Sequence, residues 1–192
     1  MLRWIVRALA IIVIAIAVLV VLDFAELLVP VGPDDSASMA NTVPACKGRV
    51  LAQGLTYRWF TDPSPGDVVA VHAAETDDGD IVPDPDADDR VLVLRVIGGP
   101  GDVVVGRAGT VFVNEQKVDD ITTEPFPAVK IPNEQYYLLG DNRSAAIDSR
   151  MFGPVLGDAI FAKVFAVDWP LRDITFRLGQ GSGQPPGAID CN

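Results

Sequence analysis

The chain has 192 residues, 49% of them hydrophobic, which supplies one ordinary domain with a real core and leaves room for a membrane segment. Its 26 Asp and Glu against 15 Lys and Arg give a formal net charge of −11, so it has no general attraction for polyanions, which argues against nucleic acid as a partner. Cys46 and Cys191 are too few for a zinc cluster and lack the C-x-x-C spacing of a redox motif; a bonded pair and two free thiols fit the sequence equally well.

Residues 4–22 are apolar except for Arg7, and nineteen residues at the helical rise give roughly 28 Å, close to a bilayer core. The expectation is a short cytoplasmic start over 1–7, a transmembrane anchor over 8–28 and an extracytoplasmic domain over 29–178, in a single-pass protein of the cell membrane. The orientation follows from Arg3 and Arg7 before the run and Asp23 and Glu26 after it. A cleavable signal peptide is the alternative, although the run is long and Asp23-Phe24-Ala25-Glu26-Leu27-Leu28 has no A-x-A site. Both readings place the domain outside the cytoplasm.

Val29-Pro30-Val31-Gly32-Pro33-Asp34-Asp35 breaks helix and opens the domain. Short β-branched or alternating runs follow at 49–52, 55–60, 67–72, 91–97, 103–105, 110–113, 136–139, 160–167 and 174–177. Val111-Phe112-Val113-Asn114-Glu115-Gln116-Lys117-Val118 reads as a hairpin, and no long stretch past residue 30 keeps a helical period, so the domain is expected to be mostly β. Residues 75–90 hold eight carboxylates, two prolines and a glycine and read as an exposed, solvated loop rather than a calcium site, because Asp77-Asp78-Gly79-Asp80 lacks the D-x-D-x-D-G order. A Gly, Gln and Pro-rich tail, 179–192, closes the chain.

Ser36 and Ser38 stand one residue apart just after the proposed anchor. A serine needs a neighbouring base and donors for the developing oxyanion. Alone, Ser36-Ala37-Ser38-Met39 reads equally as a turn. Three later segments change its meaning: Leu94-Arg95-Val96-Ile97-Gly98-Gly99-Pro100-Gly101-Asp102, Gly140-Asp141-Asn142-Arg143, and Asp148-Ser149-Arg150. In order and spacing these resemble the boxes of the type I signal peptidases, and the resemblance runs from Ser36 to about Asp168. It implies an antiparallel β-sheet catalytic domain, no cofactor and no metal, and signal peptides of exported preproteins as substrates.

Carried over residue by residue, the resemblance makes Ser38 the nucleophile and gives the Ser36 hydroxyl to the oxyanion hole. Met39, Val91 and Val93 would line the groove, with substrate docking as an extended strand against 36–38 and 91–93. Met39 and Thr42 match the first box, whereas Asn41 replaces its proline and 43–47 look inserted. Leu55-Thr56-Tyr57-Arg58-Trp59-Phe60 and Gly66-Asp67-Val68-Val69 resemble the family's membrane-proximal and following strands, with Trp59 and Phe60 candidates for the lipid surface. Leu94 stands in the slot of the lysine base, and Arg95 cannot serve, because guanidinium stays protonated. Ala146 stands where the family has the serine that holds the lysine amine. Base and base-holder are lost together, which removes a buried hydroxyl without a partner, worth about 1–3 kcal/mol. Asp148, Arg150 and Arg95 would form the bracing charges. Lys47 and His72 are the candidate substitute bases, and neither lies in the family's slot. Two readings follow: a membrane-anchored endopeptidase working without its lysine, and a non-catalytic homologue that binds preproteins, pilin-like subunits or another peptidase. A generic β-rich surface module fits less well, since four ordered segments match.

Overall fold

The run Arg90-Val91-Leu92-Val93-Leu94-Arg95-Val96-Ile97-Gly98 is apolar on both alternating faces, as a strand buried on both sides must be. In the computed structural model it is the nine-residue strand β5 (Arg90–Gly98), buried from Leu92 to Gly98. The structure describes residues 2–25, 28–30, 37–40, 42, 49–54, 57, 61–87 and 90–168.

The other strands are β1 (Leu28–Pro30), β2 (Arg49–Gln53), β3 (Val68–Glu75), β4 (Ile81–Pro83), β6 (Val103–Arg107), β7 (Thr110–Val113), β8 (Gln116–Lys117), β9 (Phe126–Lys130), β10 (Gln135–Leu139), β11 (Val155–Leu156) and β12 (Ile160–Asp168). They form an eight-stranded sheet in the order β1-β2-β12-β3-β5-β10-β11, with β4 on β3, and a four-stranded sheet in the order β8-β7-β6-β9. Every described pairing is antiparallel. The expected mostly β, antiparallel class is therefore the one observed.

Side-chain alternation sorts the core into layers. Val68, Ala70 and Val93 join Met39, Val50, Ala52, Ala162 and Val164 on one face of the large sheet. Val69, Val71, Leu92, Leu94 and Val96 join Tyr136, Leu138, Val155 and Ile160 on the other. A third cluster, Ile97, Tyr137 and Leu139 with Val104, Val111 and Ile131, joins the small sheet to the large one.

The expected hairpin at 111–118 is present: β7 and β8 flank Asn114 and Glu115, whose φ of 48° and 67° are those of a two-residue turn matched to strand twist. The loop expected over 75–90 is ordered in part. Ile81, Val82 and Pro83 pair with Glu75, Ala74 and Ala73, because this short apolar stretch inside the acidic run completes a hairpin on β3. Strands β1, β9 and β11 fall outside the expected runs, being two to five residues long and carrying little periodic signal. Of the expected run 55–60 only Tyr57 is described, and it is not in a strand; 174–177, the tail, Cys46, Cys191, Trp59, Phe60 and Lys47 lie outside the described residues.

A 24-residue helix, α1 (Leu2–Ala25), opens the chain. Its described side chains are Trp4 and 6–18, all exposed, and among the described residues no helix is long and apolar enough to cross a membrane. The expected span over 8–28 extends beyond those side chains.

Candidate active site

The short 3₁₀ turn Ala37–Met39 carries Ser38 and Met39 against the large sheet. Ser38 is only 3% exposed. Its carbonyl accepts the Asn142 N–H at 3.0 Å, so the serine turn is fastened to the Gly140-Asp141-Asn142-Arg143 loop. Next to it the Sδ of Met39 accepts the Asp141 N–H at 3.4 Å. Ser36 and Asn41 lie outside the described residues.

Gly140 shows how closely these parts approach. A Cβ built there meets the Ala146 Cβ at 2.3 Å and the Ser38 carbonyl oxygen at 2.5 Å, so only glycine fits between Ser38 and Ala146. β10 pairs Leu138 with Val96 and Leu139 with Arg95, and Gly140 and Leu94 are the next residues beyond this last pair. Ser38 and Ala146 thus converge on Gly140, which follows the last β10 residue paired with β5. Leu94 is fully buried in the apolar cluster with Val69, Leu92, Val96 and Leu138.

The bracing charges differ in one respect from the sequence expectation. Arg95 pairs with Asp141 rather than Asp148: Nε donates to Oδ1 at 2.8 Å and Nη2 to Oδ2 at 2.6 Å, while Nη1 donates to the Gly66 carbonyl at 2.8 Å. The reason is the face of β5, since Arg95 alternates with Leu94 and points with Val93 toward Met39 and Asp141. Thr42 also donates to Asp141. Burial alone would raise the Asp141 carboxyl, but the Arg95 fork, the Thr42 hydroxyl and the Arg143 charge outweigh it and hold it below the usual range.

Asp148 is fully buried and takes Arg150 through two bonds of 2.8 Å each. It also accepts the Gly140 N–H at 3.1 Å and caps the short helix Ser149–Phe152 through the Arg150 N–H. Ser149 Oγ accepts the Leu138 N–H at 2.9 Å. Arg143 donates Nε to the Gly140 carbonyl at 2.8 Å, Nη1 to Thr123 at 2.7 Å and Nη2 to Asp119 at 2.5 Å. Asp119 and Thr123 come from the segment between β8 and β9, and nothing local in the sequence marks them as partners of a residue 24 and 20 positions away.

Met39 and Val93 share one cluster, with Val91 packed against it. His72 pairs with Val91, three residues along β5 from Leu94, about 10 Å at the strand rise. Lys163 pairs with Val69, which in turn pairs with Leu94, so it stands two strands from Leu94. Its ammonium is taken by the Asp67 carboxylate at 2.6 Å, which also accepts the Tyr57 hydroxyl at 2.8 Å. Burial and the neighbouring Asp67 raise the Tyr57 phenol far above its ordinary value, so it remains a donor. Among the described residues no group of His, Cys, Asp and Glu is placed to hold a metal ion.

Residues 1–169 match the family model described as signal peptidase, peptidase S26. Among curated proteins the chain is similar to a probable signal peptidase I-2 of Synechocystis, 30% identical over 141 residues, covering 71% of this chain and 61% of that one. It is also similar to a signal peptidase I of Leptolyngbya laminosa (28% over 156 residues, 79% and 71% covered) and to a signal peptidase IB of Staphylococcus aureus (32% over 136 residues, 59% and 64% covered). The chain therefore spans between 61% and 71% of the length of these relatives. A crystal structure of a signal peptidase I from Enterococcus faecalis aligns with a TM-score of 0.42 at 22% identity, over 54% of this chain and 97% of that one. With the family match running through nearly the whole described domain, the chain belongs to the signal peptidase family, peptidase S26, as a relative of its type I members.

Proposed function

We propose that this protein is a membrane-anchored signal peptidase I-type serine endopeptidase, taking the segment ahead of an exported preprotein's cleavage site as an added β-strand. One observation carries this reading. β3 covers one edge of β5 from Arg90 to Arg95, whereas β10 covers the other only from Arg95 to Gly98. Among the described residues no strand pairs with that second edge over Val91, Leu92, Val93 and Leu94, and the edge ends beside the Ser38 turn. An unpaired strand edge is a template for an extended peptide. Met39, Val91 and Val93 supply the apolar groove on the face that such a peptide would share.

In this reading Ser38 is the nucleophile, with the Ser36 hydroxyl and the Ser38 amide holding the oxyanion. Arg95, Gly140, Asp141, Asn142, Arg143, Asp148 and Arg150 are architectural. Leu94 occupies the base position and Ala146 the position that would orient the base. Turnover then rests on oxyanion stabilisation and positioning alone, about 10²- to 10⁴-fold below an enzyme with its general base. In this reading the anchor is the apolar segment 8–28, which begins inside α1 (Leu2–Ala25), with 1–7 cytoplasmic and 29–178 extracytoplasmic beside the lipid.

A second reading is favoured by the complete burial of Leu94 beside Ala146: a non-catalytic homologue that uses the same edge to bind preproteins or pilin-like subunits. Purified full-length protein in detergent, given a signal-peptide substrate, separates the two. Slow cleavage abolished by Ser38→Ala supports the endopeptidase. Saturable binding without any Ser38-dependent product supports the binding homologue, and absence of both binding and cleavage removes the groove reading altogether.

A further inference from the structure

The small sheet reaches the serine turn through one short segment. Between β8 and β9 the chain from Val118 to Thr123 is fastened to the β6–β7 hairpin by three bonds. The Val118 N–H donates to the Val111 carbonyl at 3.0 Å, the Thr110 hydroxyl to the Asp119 carbonyl at 2.9 Å, and the Thr123 N–H to the Gly109 carbonyl at 3.0 Å. The segment also closes on itself. Asp119 Oδ1 accepts the Ile121 N–H at 3.0 Å, and the Thr123 hydroxyl donates to the Ile121 carbonyl at 3.1 Å. Asp119 Oδ2 and the lone pairs of the Thr123 oxygen then face Arg143 as a preformed cradle for its guanidinium.

Arg143 fills this cradle with Nη1 and Nη2, and its Nε–H holds the Gly140 carbonyl at 2.8 Å. Asp148 holds the Gly140 N–H at 3.1 Å, so side chains clamp both backbone groups of this residue. Gly140 has little room to shift, because even a Cβ would come within 2.5 Å of the Ser38 carbonyl oxygen. The next two residues carry the serine turn, with the Asp141 N–H on the Met39 sulfur and the Asn142 N–H on the Ser38 carbonyl. The Arg143 side chain is 2% exposed, which leaves water little access to replace a lost partner.

We infer that Asp119 and Thr123 are positioning residues for Ser38, acting through Arg143 and the Gly140 carbonyl, an inference that rests on the endopeptidase reading of that serine. Neither residue lies in the boxes that carry the family resemblance. A nucleophile displaced by about 1 Å loses about 10²-fold in rate. The open edge of β5 over Val91 to Leu94 is formed without Arg143, so peptide affinity is expected to survive where the rate does not.

The test compares Asp119→Ala and Thr123→Val with Val113→Ala, a variant that weakens the Val104 and Val111 cluster and none of the Arg143 bonds. Full-length protein in detergent is given a signal-peptide substrate. In parallel, NMR of protein labelled at the methionine methyls follows Met39, which accepts the Asp141 N–H. In Asp119→Ala kcat is expected to fall about 10- to 100-fold and in Thr123→Val about 3- to 10-fold, with KM within about 2-fold of the parent. The Met39 methyl signal is expected to move in both and to stay in place in Val113→Ala, which loses stability but keeps its kcat. If Asp119→Ala does not fold, Thr123→Val, close in volume to the parent, reads the same effect. An unmoved methyl signal in both variants, a rise in KM alone, or an equal loss of kcat in Val113→Ala would overturn the positioning role while leaving Ser38 as nucleophile. If the parent shows no Ser38-dependent cleavage, the endopeptidase reading falls and the methyl signal decides alone. A signal that moves in Asp119→Ala and Thr123→Val but not in Val113→Ala then upholds the placement of the serine turn by these residues, and an unmoved one overturns it.

Discussion

Placing lysine at Leu94 and serine at Ala146 tests the geometry around Gly140 most directly. Leu94 is fully buried, and a lysine there keeps an apolar stem but places an ammonium among Val69, Leu92, Val96 and Leu138. An uncompensated buried charge costs about 3–5 kcal/mol, a large part of the stability of about 5–15 kcal/mol expected of a domain. Ala146 touches Gly140, the residue after the last β10 pair beside Leu94, so Ala146→Ser is expected to offer the amine a hydroxyl worth about 1.5–3 kcal/mol as a bond to a charged group. Leu94→Lys alone is therefore expected to lose about 3–5 kcal/mol, and Ala146→Ser to recover about 1–2 kcal/mol of it, a coupling readable in a double-mutant cycle of urea denaturations. Burial depresses the folded-state lysine pKa below its unfolded value, so at intermediate pH the unfolded chain binds more protons and stability rises with pH. The deficit is fullest below the folded pKa and fades as pH approaches about 10.4. In the endopeptidase reading, the double variant should also cleave a signal-peptide substrate about 10²- to 10⁴-fold faster than the parent, in a Ser38-dependent manner. A coupling near zero between well-folded variants would refute the expected contact between positions 94 and 146. A normal coupling without a rate gain would refute the idea that the base is all that Ser38 lacks.

Gly140→Ala should destabilise by about 1–3 kcal/mol in thermal or urea unfolding, because its Cβ meets both Ala146 and the Ser38 carbonyl. Adding Ala146→Gly should relieve only part of this, since the contact with Ser38 remains. Asp141→Asn should lose about 3–5 kcal/mol at neutral pH by leaving Arg95 buried without its anion. The Asp141 carboxyl is depressed in the folded state, so its contribution is present above the unfolded value near 3.9 and is lost as pH falls through the folded one. Urea midpoints between pH 7 and pH 2 should thus fall less steeply in Asp141→Asn than in the parent. Asp119→Ala should loosen Arg143 and, through the Gly140 carbonyl, the serine turn, and amide exchange at Asn142 should quicken even though Asp119 lies in another segment.

The sequence alone determined the β-rich class, the hairpin at Asn114-Glu115, the long central strands and the boxes that carry the site. Each of these is a local property: alternation with period two, turn residues, or a contiguous motif. Leu94 and Ala146 were legible as paired departures from the family's boxes for the same reason, since each sits inside a motif with fixed spacing. The tertiary structure decided what periodicity cannot express, namely which strand lies beside which. Only the register of β10 on β5 ends their ladder next to Gly140 and Leu94, and only the face of β5 gives Arg95 to Asp141 instead of Asp148. Asp119 and Thr123 reach Arg143 through the docking of the small sheet, an arrangement set by the shared cluster of Ile97, Leu139, Val104 and Val111. The bulge at Phe161, where Ile160 pairs with Val71 and Ala162 with Ala70, likewise emerges only from pairing, because one extra residue in a strand leaves no mark on hydrophobic pattern until its partner fixes the count.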